Sequence, residues 1–115
     1  MDDFPEFMRR TANKIATSSQ YTSGVEGYLF DGVEGCQMAC WTCRETAEST
    51  PHVHDYDEYL LVVQGRYLVN IDGKHIPVNA GEEYLIPKGV WHGGGPIAGT
   101  RVIQAFGGRR AERVR

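Results

Sequence analysis

The sequence predicts an all-β domain, a sandwich or barrel of many short strands preceded by a short N-terminal helix or arm. Three observations carry this expectation. From residue 25 onward, short runs of strand formers alternate with turn signals, and no second helical period follows the first. Fourteen glycines in 115 residues fall mostly between those apolar runs, where tight turns need them. A 12.9 kDa chain with 41% hydrophobic and 23% charged residues suits one soluble globular domain with its own core.

Residues 3–16 (DFPEFMRRTANKIA) place Phe4, Phe7, Met8 and Ile15 at roughly helical spacing, and Pro5 suits a first turn. This segment is read as a short helix or an irregular arm laid against the body, followed by a polar connector over 18–24. Strands are expected near 25–30, 36–43, 50–54, 58–63, 66–71, 74–78, 83–86, 90–92 and 100–106. Ile71-Asp72-Gly73-Lys74 is the clearest hairpin, since Asp-Gly accepts the positive φ angles of a type I′ turn. Pro87-Lys88-Gly89 gives a second tight turn, and Gly93-Gly94-Gly95 reads as a flexible loop. The organisation expected is an N-terminal arm over 1–24, a barrel over 25–108 and an Arg-rich tail over 109–115. That tail would be solvated or form a short helix.

Lys and Arg number 12 against 15 Asp and Glu, so the net charge of -3 gives no argument for nucleic acid or anionic membrane partners. The longest apolar run, Tyr59 to Val63, is too short to span a bilayer. The opening MDDFPEFMRR has no apolar stretch of the secretory kind, so a cytoplasmic location is expected. Cys36, Cys40 and Cys43 repeat the spacing of the radical-SAM iron–sulfur signature. On a strand, however, Cys36 and Cys40 share one face about 13 Å apart and Cys43 points to the other. Three such thiolates do not converge on one cluster, so they are read as structural thiols.

The chemistry concentrates in Thr50-Pro-His52-Val-His54-Asp-Tyr-Asp-Glu58. Two imidazoles two residues apart project from one face of a strand. Glu58 opens a strand whose two faces, Leu60 and Val62 against Tyr59, Leu61 and Val63, are both apolar, so cover on both sides is expected. A carboxylate at the start of such a strand must be paired, protonated or bound to a cation. A third imidazole, His92, follows the turn at 87–89. Three imidazoles and one carboxylate suit Fe, Mn, Ni, Zn or Cu as divalent ions and disfavour Ca or Mg.

These residues fall into two motifs, His52-x-His54-x3-Glu58-x6-Gly65 and Gly81-x5-Pro87-x-Gly89-x2-His92, separated by 15 residues. In this the chain resembles the cupin family. Two positions depart from the family pattern: Thr46 stands where the first motif usually opens with Gly, and Pro96 where the second usually closes with Asn. The resemblance implies a double-stranded β-helix, or jelly-roll, barrel that is often dimeric. It also implies one divalent transition metal held by His52, His54, Glu58 and His92 at the barrel mouth.

Outside those positions the ordinary reading prevails. An isolated His-x-His pair is usually solvent-facing or satisfied by backbone, and His75 fits no motif position, so it is read as exposed. Asp55 and Asp57 are read as turn formers or partners that orient an imidazole. Tyr56, Tyr59, Trp41, Trp91 and Phe106 are read as core or pocket wall. Tyr28, Gln37, Arg44 and Gln104 are polar side chains on expected barrel strands. Arg101 and the tail arginines are read as solvated, with carboxylate binding as the alternative. Four protein ligands on a six-coordinate metal leave two positions open, which is the mark of a catalytic site. The expected function is a small metal-dependent enzyme, dioxygenase-like or isomerase-like, acting on a small organic molecule as a homodimer. The alternative is a cupin that binds a small molecule or metal without turnover.

Overall fold

A computed structural model describes residues 3–114 and places eight strands in two sheets. They are β1 (Val25–Asp31), β2 (Gln37–Cys43), β3 (Glu58–Gln64), β4 (Arg66–Ile71), β5 (Lys74–Asn79), β6 (Glu83–Ile86), β7 (Gly93–Pro96) and β8 (Thr100–Phe106). The larger sheet runs β1-β2-β8-β3-β6 and the smaller β5-β4-β7, with every pairing antiparallel. The expected all-β class therefore holds, and among the described residues the only helical turns are short 3-10 turns.

Period-2 patterning sets which side chains meet between the sheets. Leu60 and Val62 on β3 pack with Val102 on β8, Ile86 on β6, and Val69 and Val78 from the small sheet, all almost fully buried. A second cluster joins Leu29, Ala39, Trp41 and Phe106 on the large sheet to Ile15 and Ala111 from the two ends of the chain. The β4–β5 hairpin turns at Asp72 (φ 53°) and Gly73 (φ 76°), the two positive angles that a type I′ turn requires.

The N-terminal segment is an arm, with 3-10 turns at Glu6–Met8, Thr11–Asn13 and Thr17–Ser19. Phe4 and Met8 cover Tyr28, Cys40, Phe30 and Ile103 on the outer face of the large sheet, while Phe7 stays 70% exposed. Lys14 and Ile15 bridge to Tyr28 and Arg113, which covers the edge of β1. The outer face of β3 is less covered than its sequence suggests, for Tyr59 and Leu61 are half-buried and Val63 is 37% exposed in the single chain.

Four other expectations are corrected. Residues 50–54 and 90–92 are not strands; only His52 and His92 form a bridge, next to Pro51, which has no N–H to extend a ladder. Gly93, Gly94 and Gly95 are not a flexible loop but most of β7, paired with Asn70, Val69 and Leu68 of β4. Glycine is required there by close approach, since a Cβ on Gly94 would run into the Tyr67 hydroxyl. Trp91 is 64% exposed rather than core or pocket wall. The Arg-rich end, described as far as Val114, is a docked segment rather than a free tail or a helix, although Arg109 stays exposed: the buried Gln37 Oε1 accepts hydrogen bonds from the Arg110 and Ala111 N–H groups at 2.6 and 3.0 Å. Arg113 adds a bond to the Leu29 carbonyl and an ion pair with Asp31, both at 2.9 Å.

Candidate metal centre

Three separate pieces of chain bring the motif residues together. His52 and His92 exchange backbone hydrogen bonds at 2.8 and 2.9 Å, so their side chains leave neighbouring positions of one short antiparallel pair. The His54 carbonyl accepts from Gly89 N–H at 2.9 Å, which ties that residue to the 87–89 turn. Asp57 fixes the same turn, its Oδ1 accepting from Lys88 N–H at 3.0 Å. Glu58, the first residue of β3, points inward opposite Phe106 and Ile86. One donor atom from each of His52, His54, Glu58 and His92 lies within 4.8 Å of the others.

The hydrogen bonds around the rings decide which nitrogens face one another. His52 Nδ1 lies 2.8 Å from the Thr50 carbonyl and His92 Nδ1 2.9 Å from that of Val90. A carbonyl only accepts, so each Nδ1 carries the proton and each Nε2 presents its lone pair. The Nε2 atoms of His54 and His92 are buried without a hydrogen bond, at 3.3 and 3.7 Å from Glu58 Oε1. The other carboxylate oxygen, Oε2, accepts from Gln104 Nε2 at 3.3 Å. Two rings are further fixed by stacking, His52 on Tyr21 at 3.9 Å and His54 on Tyr56 at 4.7 Å between centroids.

This donor set fits a divalent transition metal. Two ligand atoms at about 2.1 Å from one ion lie about 3.0–3.4 Å apart at octahedral or tetrahedral angles. The two Glu58–histidine separations, 3.3 and 3.7 Å, are close to that span. Buried ring nitrogens without hydrogen bonds, beside an ionised carboxylate, are what such an ion would satisfy. Burial and the neighbouring groups set the charges in the metal-free cluster. Burial pushes the His52 ring down to about 4, so it is neutral near pH 7. Burial alone would raise the Glu58 carboxyl, but the close approach of the His54 and His92 rings outweighs it and holds it at about 2. At His92 burial acts downward and the Glu58 partner more than reverses it, leaving the ring above its ordinary value.

The cluster opens on a cavity of about 50 Å³ between the sheets, lined among others by Tyr21, Trp41, Tyr67, Gln104 and Arg110. Arg110 is the cation of this cavity. Its guanidinium lies 4.5 Å over the Tyr21 ring and donates to the Ser19 carbonyl at 2.5 Å. Of the polar barrel residues, Gln104 and Gln37 have the inward roles described, whereas Tyr28 and Arg44 bond to Glu26 and Asp3 on the outer side. Arg101 is buried under the arm, bonded to Gln64 at 3.0 Å and set over Phe4 at 5.0 Å. His75 stands half-exposed near Glu48, away from the cluster. Sequence reading missed Tyr21, which lay in a polar connector, and held carboxylate binding by the tail arginines, Arg110 among them, only as the alternative to solvation. Cys40 and Cys43 occupy opposite faces of β2, as strand parity requires.

The family described as cupin domain (Cupin_2) matches residues 41–100, more than half of the chain. A curated relative, pectin degradation protein KdgF of Dickeya dadantii (strain 3937), is 28% identical over 91 residues, covering 77% of this chain and 83% of the relative. Among solved structures, KdgF from Halomonas sp. superposes with a TM-score of 0.68 at 22% identity, covering 84% of this chain and 93% of the other. An RmlC-like cupin from Shewanella frigidimarina NCIMB 400 superposes with a TM-score of 0.70 at 23% identity, covering 92% and 93%. The motif departures are structural in effect. Thr46 Oγ1 accepts from Ala98 N–H at 3.0 Å, and the Pro96 carbonyl, at the end of β7, accepts from Ala47 N–H at 3.2 Å.

Proposed function

As the chain belongs to the cupin domain family, we propose that it is a metal-dependent enzyme of isomerase-like type acting on a small acidic molecule, with His52, His54, Glu58 and His92 as the ligands of one divalent transition metal. The carrying observation is the convergence of three imidazole nitrogens and one ionised carboxylate beside a cavity that Arg110 also lines. Bound there, the metal supplies Lewis-acid polarisation of a substrate carbonyl or hydroxyl oxygen. Arg110 attracts and orients a carboxylate, and its guanidinium is kept in place by the Tyr21 ring and the Ser19 carbonyl. Gln104 holds Glu58 Oε2, so that Oε1 remains turned toward the histidines. Tyr21 and Tyr56 keep two imidazoles from swinging out of the cluster.

The substrate class has a second support. The relative of Dickeya dadantii is named for pectin degradation, and pectin is an acidic polysaccharide whose breakdown yields sugar acids. The reading also takes the protein to be cytoplasmic and a homodimer, the second copy covering the outer face of β3 and β6 where Val63 and Leu85 are exposed. Among the described residues no helix is long and apolar enough to cross a membrane.

The test is turnover in D2O. Metal-loaded protein is incubated with keto and hydroxy sugar acids and followed by proton NMR. Metal-dependent deuterium incorporation beside a carbonyl, or conversion to an isomer, is the expected result. Binding without chemical change across the panel would replace this reading with that of a non-catalytic binding cupin.

A further inference from the structure

Trp41 carries a buried polar group that the fold leaves unused. It lies on β2, facing inward opposite Gly27 and Val102, and its side chain is 7% exposed. Its Nε1–H is buried, and among the described residues no atom accepts its hydrogen bond. An unmade bond at a buried donor carries the full desolvation penalty of that group, so native proteins seldom leave one without a purpose. The ring is not free to turn away in search of a partner. Its Cε3, Cζ3 and Cδ2 atoms rest against Gly27, so closely that a Cβ there would overlap them. The nitrogen is therefore at the edge turned away from β1. Trp41 lines the same cavity as Glu58, His92 and Arg110, and the Arg110 guanidinium lies 5.8 Å from its ring.

We propose that the Trp41 indole N–H is a ligand-binding donor that, with the Arg110 guanidinium, forms a carboxylate subsite on the wall of the cavity that Glu58 and His92 also line. This rests on the acidic-substrate reading above and adds the residue that reads the acid. The neutral donor and the cation divide the work: Arg110 attracts the charge, and the fixed indole N–H donates only to an oxygen placed along its own axis. The cavity, about 50 Å³, has room for a group the size of a carboxylate in place of the few waters that would otherwise fill it. A neutral sugar of the same shape meets the same N–H without the charge that offsets desolvation of Arg110.

The experiment uses 15N-labelled, Zn(II)-loaded protein titrated with acetate, D-galacturonate and the neutral D-galactose. The chain has two tryptophans, and Trp91 is 64% exposed, so Trp91→Phe assigns the two indole resonances and the Trp91 signal serves as control. Acetate and D-galacturonate should move the Trp41 resonance downfield in a saturable way, leaving that of Trp91 in place, and D-galactose should do neither. Trp41→Phe, which keeps the ring and loses the donor, should weaken D-galacturonate binding about ten-fold. Binding that depends on Arg110 (lost in Arg110→Met) but leaves the Trp41 resonance unmoved, or is unchanged in Trp41→Phe, overturns the role of Trp41 alone and leaves its N–H to water. No binding of either acid, or binding indifferent to Arg110→Met, overturns the acidic-substrate reading and this inference with it. If Trp41→Phe fails to fold, the resonance of the unaltered Trp41 decides.

Discussion

Replacing His54 by alanine separates metal binding from folding. The ring is 9% exposed, stacks on Tyr56 at 4.7 Å and directs Nε2 to within 3.3 Å of Glu58 Oε1. None of Leu60, Val62, Val69, Val78, Ile86 and Val102, the core between the sheets, depends on it. Its removal beside a hydrated cavity should therefore cost about 1–2 kcal/mol in the metal-free protein, a fall of roughly 4–8 °C in Tm. The effect on metal is larger. For the unaltered protein, metal at a hundred times its Kd adds about 2.7 kcal/mol, or roughly 10 °C in a domain of this size. Loss of one ligand in four should weaken binding at least about 100-fold, which at the same metal concentration leaves about 0.4 kcal/mol and roughly 2 °C. Melting curves with and without added Zn(II) or Mn(II), alongside elemental analysis, read both quantities. An undiminished metal-dependent shift in His54→Ala would remove this residue from the ligand set. A variant that is unfolded even without metal would make the cluster structural, in the manner of a zinc finger.

Four other expectations follow from the same geometry. Gly94→Ala drives a methyl group against the Tyr67 hydroxyl and should destabilise by about 1–3 kcal/mol by denaturant titration; an unchanged midpoint would show that β7 is not held against Tyr67. Burial raises the Cys40 thiol and pushes that of Cys43 up to about 12, so under native conditions a thiol reagent should modify Cys36 alone, and rapid reaction of a second thiol would contradict the packing of β2. In chelated protein His52 holds its proton less tightly when folded (about 4) than when unfolded (6.5), so stability should fall as pH drops from 6.5 toward 4; below 4.5 the loss of Glu58 ionisation adds to it, while the raised His92 acts only above 6.5. His52→Asn should flatten the urea midpoint across pH 4.5–6.5, and an unaltered slope would assign the effect elsewhere. Light scattering should report a dimer, with a 12.9 kDa particle at micromolar concentration counting against it.

All the strands but β7, and the four clustered residues, were legible because short-range rules decide them. Asp72-Gly73 takes angles few other pairs tolerate, and the β3 alternation of Glu58, Leu60 and Val62 forces those side chains into the interior. His52, His54 and His92 were legible as residues but not as strand positions, since one bridge and two Nδ1–carbonyl bonds aim the rings rather than a ladder. What escaped is long-range. Nothing near Arg110 in sequence announces that Gln37, seventy-three positions earlier, will hold its N–H, or that Tyr21 will lie under its guanidinium. Gly93-Gly94-Gly95 was misread for the same reason: local composition says loop, and only the Tyr67 ring on the paired strand requires bare backbone.

The measurement that bears most directly on the central claim is anomalous scattering from crystals grown with a transition metal and collected at its absorption edge. One peak per chain should lie about 2.0–2.2 Å from a nitrogen of His52, His54 and His92 and from an oxygen of Glu58. A fully metal-loaded crystal whose peak lies away from these four side chains, or that bonds fewer than three of them, would contradict the account.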